Sequence, residues 1–144
     1  ATLNTASEYG FGGVIAALPG FKLLNESLSS TVKDPLANEA ITITTLAGIT
    51  GSASGGLSIA LASMSETYLA SAAKVGITPD VLHRVASMAS GGMDTLPHNG
   101  AVITLLAITG LTHRQSYGDI FAMTLIKTVA VAFVIGIYYS TGIV

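Results

Sequence analysis

The chain has 144 residues, a formal net charge of −2, and only 10% Asp, Glu, Lys and Arg, against about 25% in ordinary soluble domains. Half of it is hydrophobic, its mean hydropathy is +0.66, and it holds no Cys. These values exclude a disordered segment, which needs high charge and low hydrophobicity, a nucleic-acid binder, which needs a basic surface, and any disulfide or thiolate chemistry.

Residues 1–5 are small and polar, with neither Met nor a cleavable leader pattern, and read as the interior of a longer chain. Residues 9–18 predict a Gly-rich apolar helix that ends near Pro19-Gly20. Phe21, Leu23, Leu24 and Leu28 then mark a short amphipathic helix, followed by a polar loop over 29–34. Asp34 before Pro35 is a cap followed by a first-turn proline, and predicts a helix over 35–49. A second helix is expected over 57–74, stopped by Gly76. Thr78-Pro79 repeats the cap device and predicts a helix over 79–90. A short apolar helix follows over 101–108, stopped at Gly110. A polar connector over 111–119 leads into a last helix ending near Tyr138 and Tyr139, where an aromatic belt is expected. No period-2 alternation emerges, so the chain reads as all-α.

The few charges are unevenly spread. Residues 40–65, 95–112 and 128–144 contain no Asp, Glu, Lys or Arg. Crossing a bilayer core takes about 20 mostly apolar residues. The C-terminal stretch from 120 onward meets that length, with Lys127 its sole charge. The other stretches reach it only by including breaks, at 51–56 and at 91–100. A continuous helix through either break is disfavoured by about 1 kcal/mol per Gly and about 3 per Pro. Irregular backbone at membrane depth occurs only where it is buried in protein or lines a wet cavity. Broken hydrophobic segments therefore point to a binding site.

Each break opens a half-helix whose N-terminal N–H groups can hold an anion without any Arg. Ser52, Ser54, Gly55 and Gly56 open one; Thr95, His98, Asn99 and Gly100 open the other. These eight are the candidate binding residues, although a Ser or Thr can equally bond back to its own helix. For proton exchange the candidates are Asp94, His98 and Glu8. Asp94 could instead cap a helix, and Glu8 could be a solvated helix start. Glu39 and Glu66 are read as exposed or paired at an interface. His83, His98 and His113 lack metal-ligand spacing, so no metal or other cofactor is expected. A hydrolase drawn from Ser52 or Ser90 with Asp94 and His98 lacks a nucleophile elbow. No phosphate-binding loop occurs in a strand–turn–helix setting.

Four runs carry a family resemblance: residues 4–12 (NTASEYGFG), 48–61 (GITGSASGGLSIAL), 83–102 (HRVASMASGGMDTLPHNGAV) and 110–117 (GLTHRQSY). They closely resemble the gluconate:proton symporter (GntP-type) permease family. The resemblance implies a multi-pass carrier of the bacterial inner membrane, not an enzyme, taking up gluconate, a related sugar acid or a hydroxy acid with a proton. It implies an inverted-repeat fold with discontinuous or re-entrant helices, of which residues 1–144 would be the C-terminal third, without a separate soluble domain. The implied partners are the organic acid anion, the proton, the bilayer, the remainder of the permease and possible homodimerisation. The substrate carboxylate is expected between residues 52–56 and 98–100, with Asn4 and Thr5 nearby. Lys127 departs from the family's apolar last helix. The competing class is a small apolar all-helical soluble oligomer or binding module.

Overall fold

The structure, a computed structural model, describes residues 17–143 together with residues 3, 6, 7, 10 and 13–15. The side chains of Lys22, Asn25 and Ser29 lie outside that description, as do Asn4, Thr5 and Glu8 and much of the expected 9–18 helix. From residue 19 onward there are six helices: α1 (Pro19–Thr31), α2 (Pro35–Thr50), α3 (Ala53–Lys74), α4 (Pro79–Ser90), α5 (Gly100–Thr109) and α6 (His113–Thr141). No strand occurs among the described residues.

The helix starts follow their caps. The Asp34 carboxylate accepts the Ala37 N–H at 2.7 Å, and Pro35 opens α2. Pro79 opens α4 in the same way. Pro19, expected to end a helix, instead begins one. Its missing N–H falls where a helix has no acceptor to offer. Two further boundaries differ from expectation. Helix α3 begins at Ala53 rather than 57, because the Ser52 hydroxyl caps it by accepting the Gly55 N–H at 3.1 Å. Helix α6 begins at His113, so most of the expected polar connector is helical. There the Gln115 side chain accepts from both the N–H and the hydroxyl of Thr112, forming a capping box.

Helix α2 is the centre of the fold. It packs against α3 and α4, and α6 lies across α2 and α4. Leu36, Ile43 and Leu46 of α2, with Ala60, Tyr68, Val85 and Ala89, form the core. Helices α2 and α3 make a tight hairpin. Gly51 ends α2 in the left-handed conformation at φ 63°, and the N–H groups of Gly51 and Ser52 both reach the Ala47 carbonyl. Directly past this turn, a Cβ placed on Gly56 would stand 2.3 Å from the Ala47 nitrogen. The two helices therefore cross almost backbone to backbone.

At about 1.5 Å per residue, α2, α4 and α5 rise only about 15–24 Å, short of a bilayer core of about 30 Å. Helix α6, at 29 residues, is long and apolar enough to span one. Little of its apolar stretch is buried by the other helices.

Candidate functional site

The two breaks meet. The Nε2 of His98 lies 2.8 Å from the Gly48 carbonyl, and the Asn99 Nδ2 donates to the Gly51 carbonyl at 2.5 Å. A carbonyl oxygen can only accept, so the His98 Nε2 carries a proton. Gly51 has to be glycine twice over: its φ is positive, and a Cβ there would stand 2.9 Å from the His98 ring. Gly48 and Gly92 admit the second break in the same manner, against Met93 and Thr44 respectively.

Asn99 is the pivot of this junction and is 5% exposed. Its Oδ1 accepts the Ala101 and Val102 N–H groups at 2.6 and 3.1 Å, capping α5. Its Nδ2 meanwhile holds the α2–α3 turn. One buried amide thus satisfies the start of α5 and the end of α2.

Helix α6 fastens the second break from the other side. Lys127 forms an ion pair with Asp94. The hydroxyls of Thr95 and Thr124 share a hydrogen bond. The Tyr117 hydroxyl donates to the Thr95 carbonyl at 3.4 Å, and the His113 Nε2 donates to the Pro97 carbonyl at 2.9 Å. Side chains of α6 thus hold the irregular backbone between residues 91 and 99.

A cavity of about 340 Å³ opens beside this junction, with Asp94, Thr95, Asn99, Val102, Met123 and Lys127 in its walls. Its volume is at the lower end of small-ligand sites. The Asp94–Lys127 pair is half-buried. A larger cavity of about 440 Å³ between α2 and α6 has only threonine hydroxyls as polar groups. It offers an anion no counter-charge.

Along its whole length the chain is 69% identical to a protein of Bacillus subtilis (strain 168) named uncharacterized transporter YxjC. The chain resembles one stretch of a transporter. It spans about 30% of that relative's length. No protein-family profile matches the chain, and no solved structure matches it. All-helical, with one apolar helix of bilayer length and a transporter as relative, the chain has the features of a helical membrane protein.

Against that background the expected site residues divide. Asp94, Thr95 and Asn99 line the cavity, while His98 and Gly100 belong to the junction beside it. Ser52 is buried and committed to capping α3, and Ser54 is exposed with its hydroxyl 3.4 Å from that of Ser52. Gly55 and Gly56 are buried, and the Gly56 N–H donates to the Ser52 carbonyl at 2.9 Å. The structure thus gives Gly56 a packing role, where the sequence suggested a ligand contact. By helix geometry the first-turn N–H groups of Ala53, Ser54 and Gly100 have no intrahelical acceptor. The hydrolase grouping comes apart. The Ser90 hydroxyl donates to the Ser87 carbonyl at 2.8 Å, Asp94 belongs to Lys127, and His98 belongs to Gly48.

Two residues were missed or misjudged from the sequence. Lys127, which looked out of place, is the partner of Asp94 and stands at the midpoint of α6. Its only sequence signal was its isolation. Glu39, expected to be exposed or paired, is 2% exposed, and its Oε2 has no hydrogen-bond partner among the described residues. Its signal was a lone acid within an otherwise apolar helical face.

Proposed function

We propose that this chain is part of a proton-coupled carrier for a small organic acid anion, gluconate or a related sugar acid or hydroxy acid, in the bacterial inner membrane. The observation that carries the reading is the meeting of two broken helices beside a cavity that holds a carboxylate–ammonium pair. Kinship with a transporter along the full 144 residues supports transport in general. The resemblance of residues 48–61 and 83–102 to gluconate permeases supports the substrate class. The unburied apolar surface of α6 supports lipid, or further helices of the same permease, as its surroundings.

The proposed chemistry follows from the pair. With Asp94 ionised, Lys127 is already neutralised, and an incoming carboxylate gains little from it. A proton on Asp94 releases Lys127 to hold the substrate carboxylate. Loss of the proton returns Asp94 to Lys127 and expels the anion. One proton and one anion then travel together with no net charge left in the site, which suits an environment where an unpaired charge is costly. Asn99, Thr95 and the free N–H groups of Ser54 and Gly100 supply donors for hydroxyl and carboxylate oxygens. His98 stands as a second proton-exchanging group, through its Nδ1. Asn4, Thr5 and Glu8 complete the proposed site from the N-terminal run.

Proteoliposomes containing the full-length carrier test the reading. Asp94→Asn is expected to abolish accumulation of labelled gluconate driven by an inwardly directed proton gradient. Accumulation at the wild-type level would remove Asp94 from coupling. Absence of counterflow in the wild type with gluconate, 3-hydroxybutyrate and D-serine alike would remove the substrate class.

A further inference from the structure

Glu39 lies on a different face of α2 from the site above. At 3.6 residues per turn, it points about 140–180° away from Ile41, Thr44 and Gly48. Those residues face α6 and the second break; Ile41 and Thr44 line the apolar cavity against α6. Glu39 instead lines a separate cavity of about 220 Å³ between α2, α3 and α4, with Leu57, Tyr68, Leu82, His83 and Ser87 among its walls. Its neighbours there are mostly apolar. Tyr68 from α3 and His83 from α4 are the titratable groups that share the cavity, and Thr42 stands near Tyr68. Arg84 lines the adjoining cavity with Met88 and Val134. Asp34, at the start of α2, is engaged by the Tyr139 hydroxyl of α6. No Lys or Arg lines the Glu39 cavity.

A carboxylate stripped of water, with neither a cation nor a donor on Oε2, is far more costly to bury than a neutral acid. A residue kept only for packing would have no use for that group. The cavity also has an open side: His83 and Ser87 at its rim are exposed, while Glu39 at its floor is not.

We infer that Glu39 is a second proton-binding site, separate from Asp94 and reached from the open rim at His83 and Ser87. In the closed packing of α2, α3 and α4 it holds its proton. Releasing the proton requires water to enter the cavity, so its charge state is tied to how tightly these three helices close. Its part in a transport cycle rests on the carrier reading; its protonation does not.

Two experiments on the full-length carrier test this. Dicyclohexylcarbodiimide attacks protonated carboxyls in apolar surroundings. At neutral pH it should modify Glu39 and leave the exposed Glu66 and Asp80 unmodified, as read by peptide mass spectrometry. A Glu39 that stays unmodified even after Leu57→Ala widens the cavity would overturn the inference, as would modification no faster than that of Glu66. The second experiment measures accumulation of labelled gluconate at several imposed pH gradients. Each coupled proton contributes about tenfold per pH unit. Glu39→Gln should therefore lower the accumulation ratio by about tenfold per unit of gradient relative to the wild type, with Tyr68→Phe as a folded control at the same cavity. An unchanged slope would overturn the coupling role. Failure of the wild type to transport any acid would sink the carrier reading and leave the labelling result standing.

Discussion

Asn99 holds more of the junction than any other side chain. Removing it takes away a helix cap, at about 1 kcal/mol, and leaves the buried Gly51 carbonyl without its donor, at about 1–3 kcal/mol. Asn99→Ala is therefore expected to destabilise the protein by about 2–4 kcal/mol, measured by denaturant unfolding in detergent. Asn99→Asp keeps the cap and loses the donor, so it should fall between. Equal losses for the two variants would mean that the cap contributes nothing, and wild-type stability in Asn99→Asp would mean the same of the Gly51 contact. The glycines give a graded comparison. Gly56→Ala drives a Cβ into the Ala47 backbone and should cost at least about 1–3 kcal/mol through overpacking. Gly110→Ala meets open space and only a positive φ, so strain of about 1–2 kcal/mol is all it should show. A ranking with Gly110 as the more sensitive position would contradict the close crossing of α2 and α3.

At the level of helices, the cap residues decide where elements begin, and they also decide what was legible beforehand. Asp34-Pro35 and Thr78-Pro79 place the starts of α2 and α4 where the sequence puts them, because a first-turn proline is a local signal; Asp34 also caps its helix, whereas the Thr78 side chain makes no cap hydrogen bond. The start of α3 was set four residues late. Gly55 and Gly56 read as helix breakers, yet they lie in the first turn, where the lack of a side chain on Gly56 lets α2 approach. That need arises from a partner helix and leaves no local trace. The start of α6 was legible in principle: Thr112 and Gln115 have capping-box spacing, but the polar residues after them suggested a loop. Thr112→Ala should accordingly fray the first turn of α6 by about 1 kcal/mol. Faster amide exchange over residues 113–116 would report it, and unchanged exchange would count against the box. The site was half legible. The two breaks were found from their Gly, Pro and Asn content, and they do meet. The Asp94–Lys127 pair was not, because one member lies in the second break and the other on α6, with no motif linking them.

For the molecule as a whole, the apolar exterior is the dominant fact. Phe121, Met123, Leu125, Ile126, Val129 and Phe133 of α6 are exposed together, more apolar surface than a soluble monomer leaves in water. The chain should need detergent or lipid to stay dispersed. A monodisperse monomer in plain buffer, seen by light scattering, would instead favour the soluble class. Charge scarcity in the sequence foretold this much. It could not foretell which of the remaining charges would be paired, buried alone or solvated, since that depends on packing between distant segments.

The place of Lys127 at the centre of α6 has a consequence for how the protein is made. A lysine at the middle of a membrane helix raises its insertion free energy by about 2.5–3.5 kcal/mol. The residue that neutralises it, Asp94, precedes it in the chain and is synthesised first. The second break has thus already been synthesised when α6 leaves the ribosome. Asp94→Ala should slow or reduce membrane integration of α6 during synthesis, and Lys127→Met should restore it even without Asp94. Glycosylation tags placed after Val144 would score both.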